Sequence, residues 1–191
     1  MNVRTSTKLA VMMALATTSI SAASVQAKHH NIQNPTVGGA AMYPAKTIAD
    51  NASAAPNLTT LVAAVKAAGL VETLASHGPF TVFAPTNDAF AKLPAGTVGT
   101  LLKPENKAAL ANILTYHVVA GKLTSKDIVE AIAQGRGSAR LTTVSGGTLT
   151  ARLSGNNLIV TDANGGMSQV STVDVMQSNG IVHVIESVLL P

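Results

Sequence analysis

Between residues 46 and 134 apolar side chains recur at steps of three and four, whereas from residue 139 to the end they alternate. A period near 3.6 puts an apolar stripe on one side of a helix, and a period of two puts it on one face of a strand. The switch predicts an α+β domain, with helices gathered early and an antiparallel sheet built late. Leu58, Leu61, Val62, Val65 and Ala68 mark a helix that begins after Pro56-Asn57 and is interrupted at Gly69, with further helical turns over 70–76. Residues 80–84 read as a short apolar strand stopped by Pro85, after which Thr86 is placed to cap a brief helix through Phe90. Residues 104–114 read as a helix with Pro104 in its first turn and Glu105 near its positive end. A further helix is expected over 125–134, with Ser125 as cap and Gly135 as its end.

The alternating part contains β-prone runs at 139–144, 148–153 and 158–161, separated by Gly146-Gly147 and Gly155-Asn156-Asn157. Runs 170–177 and 181–190 flank Asn179-Gly180, a pair that favours a type I′ hairpin turn. No internal repeat of 20–50 residues is visible, and 191 residues is a length normal for one domain.

The first 27 residues have the pattern of a secretory signal peptide. Arg4 and Lys8 supply the positive region, residues 9–16 an apolar run too short to span a bilayer, and Val25-Gln26-Ala27 a cleavage site. Cleavage after Ala22 or Ala23 is an alternative. Residues 28–45 lack periodicity and contain Pro35, Gly38, Gly39 and Pro44, which predicts a flexible tether before a domain at 46–191. Thirteen basic residues less Arg4 and Lys8 leave 11 against 9 acidic ones, so the exported chain carries only +2 and no basic run. With 3% aromatic residues and no Trp, it also lacks stacking platforms, and no nucleic-acid partner is expected. The absence of Cys excludes disulfides, thiolate catalysis and Cys-based zinc sites. No membrane span is expected in the mature chain.

Three segments carry a family resemblance. Residues 81–90 (TVFAPTNDAF), Tyr116-His117 within ILTYHVVAGKL, and residues 179–191 (NGIVHVIESVLLP) resemble, in order and approximate spacing, the signature segments of the fasciclin domain family. The resemblance covers residues 46–191. It implies a wedge of two β-sheets with several helices packed against it, and an extracellular or cell-surface adhesion or binding role without a known catalytic centre. A cell-surface or matrix protein or a glycan is the implied partner, in the periplasm or outside the cell.

Asp88, Tyr116 and His117 are the candidate partner contacts. Each also has a structural account. Asp88 suits the first turn of a helix, and Tyr116 and His117, read as neighbours on a strand, should send one side chain into the core and the other toward solvent or a hydrogen-bond partner. His183 alternates with Ile181 and Ile185 and reads as a half-buried, hydrogen-bonded histidine. Sequence motifs for a nucleophile elbow, a zincin helix, a phosphate-binding loop or an EF-hand do not occur, so no cofactor is expected, although a Ser-His-Asp set assembled by folding stays open. Carriage of a small apolar ligand in a cleft of the same domain is the alternative function. No metal is expected in the domain. If cleavage follows Ala27, however, Lys28-His29-His30 presents an amine, two amides and a third-position imidazole, a planar nitrogen set suited to Cu(II) or Ni(II). N-terminal sequencing of exported protein should therefore read from Lys28, and only with that start should Cu(II) affinity fall in a His30→Ala variant.

Overall fold

The computed structural model describes residues 34–94 and 96–191. The leader and Lys28, His29 and His30 lie outside the described residues.

The chain folds in the order α1 (Ile48–Ala54), α2 (Thr59–Ala68), α3 (Val71–Ala75), β1 (Phe80–Pro85), α4 (Asn87–Ala91) and α5 (Thr97–Leu101). A 3-10 turn (Pro104–Asn106), α6 (Lys107–Tyr116), β2 (Val118–Ala120) and α7 (Ser125–Gln134) follow, and then β3 (Ala139–Thr142), β4 (Thr148–Ser154), β5 (Asn157–Thr161), β6 (Met167–Gln177) and β7 (Gly180–Ile185). The α+β class is as expected. Gly69 ends α2 in the left-handed conformation (φ 73°), and Thr86 caps α4 by accepting the Ala89 N–H. The 125–134 helix is capped one residue earlier than expected. Thr124, not Ser125, forms a reciprocal capping box with Asp127, because Asp127 lies three positions after Thr124. The same device, Thr47 with Asp50, starts α1, a helix that the apolar period alone does not reveal.

Strand order is β2-β1-β7-β6-β5-β4-β3. The two sheets implied by the family resemblance are its two halves. They share the 11-residue β6, whose start pairs with β5 and whose remainder pairs with β7. The outer edges also meet, with Val119 bridging Thr143 and the Val144 N–H donating to the Val118 carbonyl. The sheet is mixed rather than antiparallel throughout, since β1 runs parallel to β7 in the register Phe80↔Gly180 to Pro85↔Ile185. This pair is buried on both faces. On one side Val82, Ala84, Val182 and Val184 pack with Leu61, Val65, Leu110 and Leu114 of α2 and α6. On the other, Phe83 and Ile185 join Ile128 and Ile132 of α7 and Leu149 and Val160 of the second half-sheet. Full burial of each such side chain contributes about 1.5–3 kcal/mol.

Two sequence expectations are corrected here. Residues 34–45 are packed rather than loose: Val37 and Met42 are buried in the helical core, and Asn34 exchanges two hydrogen bonds with the Met176 backbone. An irregular segment laid across a sheet buries residues without period, so periodicity could not find it. The hairpin does form, but its two loop residues are Ser178 and Asn179, and neither has a positive φ, which a type I′ turn demands. Asn179 is instead a staple. Its Oδ1 accepts the Ile48 N–H, and its Nδ2 donates to the Leu74 and Ser76 carbonyls. Gly180 is required for close approach: a Cβ there would run into the Phe80 carbonyl oxygen of the neighbouring parallel strand. Gly180→Ala should therefore lower stability by about 1–3 kcal/mol in urea unfolding. Gly99→Ala in α5, where nothing lies within 4 Å, should leave stability unchanged or slightly raised.

Candidate functional site

The family-signature segments converge on the β1–β7 pair, and four of their polar side chains, those of Thr81, Tyr116, His117 and His183, are buried. Tyr116 is the last residue of α6 and His117 its C-cap, not members of a strand. Both are buried, at 1% and 2% exposure, and both find hydrogen-bond partners inside rather than solvent. Helical geometry at a junction between two cores explains the difference: Tyr116 enters the core under α7, while His117 lines the space beneath α1 and α2.

His117 clamps three segments together. Its Nδ1–H donates to the Ile113 carbonyl (2.8 Å), its Nε2 accepts the Leu189 N–H (3.0 Å), and its own carbonyl accepts the Phe83 N–H (2.9 Å). With both ring nitrogens committed in this way the imidazole is neutral, and burial pushes its pKa down to about 4. The Tyr116 hydroxyl donates to the Thr148 carbonyl (2.9 Å) and accepts the Ala163 N–H (3.0 Å), and burial raises its pKa.

His183 is fully buried, not half-buried, and stacks on Phe83 with ring centroids 5.6 Å apart. Its Nε2–H donates to the Leu123 carbonyl (3.0 Å) and its Nδ1 accepts the Asp174 N–H (3.3 Å), so it holds the opposite tautomer from His117. Burial lowers its pKa as well. Asp174 sits at the irregularity in β6 with a left-handed backbone (φ 57°), and its carboxylate accepts from the Ser125 N–H (2.7 Å) and the Ser125 hydroxyl. Folding thus brings together a Ser, an Asp and a His. The linkage is not that of a catalytic triad, because the serine hydroxyl points at the carboxylate and the imidazole meets only backbone groups. Thr81, buried in β1, completes the ring by donating to the Gly121 carbonyl (2.7 Å) and accepting the Leu123 N–H (2.9 Å). Sequence reasoning missed Thr81 and Asp174. A lone acid among the valines of residues 170–175 was the signal available for Asp174.

Asp88 lies apart, exposed on the first turn of α4, and shares no side-chain hydrogen bond with Tyr116 or His117. Two spaces flank the β1–β7 pair. An apolar cavity of about 60 Å³ lies under Val37, Met42 and Ile48, and an open cleft of mixed lining, about 460 Å³, at the start of both strands is lined by Ser76, His77, Pro79, Lys122 and Ser178 among others. Among the described residues no cluster of three or more His, Asp or Glu could hold a metal ion, and no helix is long and apolar enough to cross a membrane.

The depressed His117 pKa carries a consequence for stability. The unfolded chain takes up a proton near pH 6.5 that the native imidazole accepts only near 4, so stability is complete above about 6.5 and falls as pH drops toward 4. The loss attributable to His117 should be about 3 kcal/mol. Urea midpoints measured across this range should show the slope, and His117→Gln should lessen it, leaving the part due to His183, while costing about 1–3 kcal/mol at neutral pH.

A family model for the fasciclin domain matches residues 56–191. Protein sll1483 of Synechocystis sp. is 48% identical over 155 residues, covering 81% of this chain and 79% of that protein. Immunogenic protein MPB70 of Mycobacterium bovis is 40% identical over 167 residues, covering 83% and 76% respectively. Among solved structures, the FAS1 domain pair of the insect cell adhesion molecule fasciclin I superposes with a TM-score of 0.67 at 24% identity, over 78% of this chain and 52% of that one. The fold of this chain is therefore that of a FAS1 domain, and the chain belongs to the fasciclin domain family.

Proposed function

We propose that the chain is exported and acts as a non-catalytic binding or adhesion module at the cell surface or in the extracellular space. The observation that carries this reading is the use made of the groups best suited to catalysis. Each ring nitrogen of His117 and His183 is engaged by the backbone, and the Asp174 carboxylate is occupied by Ser125. A general base needs a free, solvent-reachable nitrogen near its substrate, and these imidazoles are committed to holding strands, a helix end and a loop. The insect protein sharing this fold is itself a cell adhesion molecule, and the leader pattern at residues 1–27 agrees with export.

The alternative of apolar-ligand carriage is less well supported. The apolar cavity, at 60 Å³, is well below the roughly 300–1,000 Å³ of small-molecule pockets, and the 460 Å³ cleft that reaches this range is open and lined by polar as well as apolar groups. Of the three candidate contacts, Asp88 alone offers an exposed side chain, so partner contact by that residue belongs to this proposal. Mature protein immobilised on beads should retain material from cell-envelope or matrix fractions, and Asp88→Ala should weaken retention without shifting the urea midpoint. Turnover of ester or glycoside substrates that disappears in His183→Gln would overturn the non-catalytic reading.

A further inference from the structure

Across β3, β4 and β5 the outer face of the second half-sheet carries charge of one sign, and among the described residues Arg140 and Arg152 are left exposed. Along β3 and β4 the residues facing the core are Ala139, Leu141, Leu149 and Ala151, which pack against α7 on the inner side. Alternation therefore turns Arg140, Thr148, Thr150 and Arg152 outward. The register continues the pattern across the sheet: Arg140 pairs with Thr150, Thr150 with Thr161, and Arg152 with Ile159, which in turn pairs with Gln169. Arg140 and Arg152 are diagonal neighbours on one face, about 7–8 Å apart at the backbone.

Arg136, Arg140 and Arg152 are the only arginines after the leader, and no Asp or Glu occurs between Glu130 and Asp162. Among the described residues the one ion pair is Lys103–Glu105, so neither face arginine has a carboxylate within 4.0 Å. Asp127 and Glu130 belong to α7 on the opposite side of the sheet, and the buried Asp162 carboxylate accepts from three backbone N–H groups. Glu186, joined to Gln169 through the backbone, lies three strands across from Arg152, and Lys92 Nζ donates to its backbone carbonyl.

We propose that this face binds an anionic polysaccharide, one bearing carboxylate or sulfate groups. Two unpaired guanidinium groups supply planar donor forks for those anions. The surrounding threonine hydroxyls and the Gln169 amide donate to and accept from sugar hydroxyls. The face is a pleated surface rather than a groove, so it lacks the pocket that anchors a peptide side chain, and it has no aromatic ring on which a nucleobase could stack. The inference rests on the reading of the domain as a binding module and adds the face and the chemistry of the partner.

The test passes the exported protein over immobilised polyuronate, heparin, neutral dextran and polyglutamate at low and moderate salt. Retention is expected on polyuronate, heparin or both, weakening as salt rises, with none on dextran; the two anionic columns distinguish carboxylate from sulfate recognition. The double variant Arg140→Gln/Arg152→Gln should bind at least about tenfold more weakly, as the loss of two charge-assisted contacts requires. Lys66→Gln/Lys107→Gln, which removes equal charge from the helical side, should bind as the parent does. Equal loss in that lysine variant, no retention on either anionic polysaccharide, or equally tight retention on polyglutamate would overturn the proposal. Envelope capture that survives in the arginine variant would overturn this face while leaving the binding-module reading intact.

Discussion

Phe80–Pro85 and Gly180–Ile185 lie one hundred residues apart in sequence and meet in parallel register at the centre of the sheet. All six residues of β7 and five of six in β1 are buried. The pair therefore acts as a wall between two cores, one roofed by α1, α2 and α6 and the other by α7 and the second half-sheet. Neither core closes without it, because each strand supplies alternate residues to both sides. Gly180 lets the strands approach, and Asn179, at the entrance to β7, ties them to α1 and α3.

A strand buried on both faces has no solvent side for its polar residues, and each must find a partner inside. Thr81 and His183 do so by fastening the loop between β2 and α7, and His117 by joining α6 to the C-terminal segment through Leu189. Both imidazoles are neutral and hold opposite tautomers set by the carbonyl each one faces. The family-signature histidines are thus explained by backbone satisfaction. In the proposed reading, binding falls instead to the surfaces around these clamps, among them the sheet face bearing Arg140 and Arg152.

Most of the elements were legible because they obey local rules. The stripe from Leu58 to Ala68, the Thr86 cap, the glycine stop at residue 69 and the paired runs around Ser178-Asn179 each depend on residues within a few positions of one another. Expectations failed where a distant partner competed. Asn179-Gly180 has the composition of a type I′ turn, yet three backbone groups from α1 and α3 capture the Asn side chain and β1 crowds the glycine. Residues 34–45 have no period because they fill a gap rather than form an element, and Val37 and Met42 are buried all the same.

The succession from early helices to late strands, the cysteine-free composition, the small net charge beyond residues 1–27 and the three signature segments were settled by the sequence alone, since composition and short-range periodicity are local properties. The parallel pairing of β1 with β7, the burial of Tyr116, His117 and His183, and the meeting of Ser125, Asp174 and His183 were decided only by tertiary structure. Whether a side chain is exposed, charged or free to bind depends on what packs over it, and in this fold the covering residues come from as far as a hundred positions away.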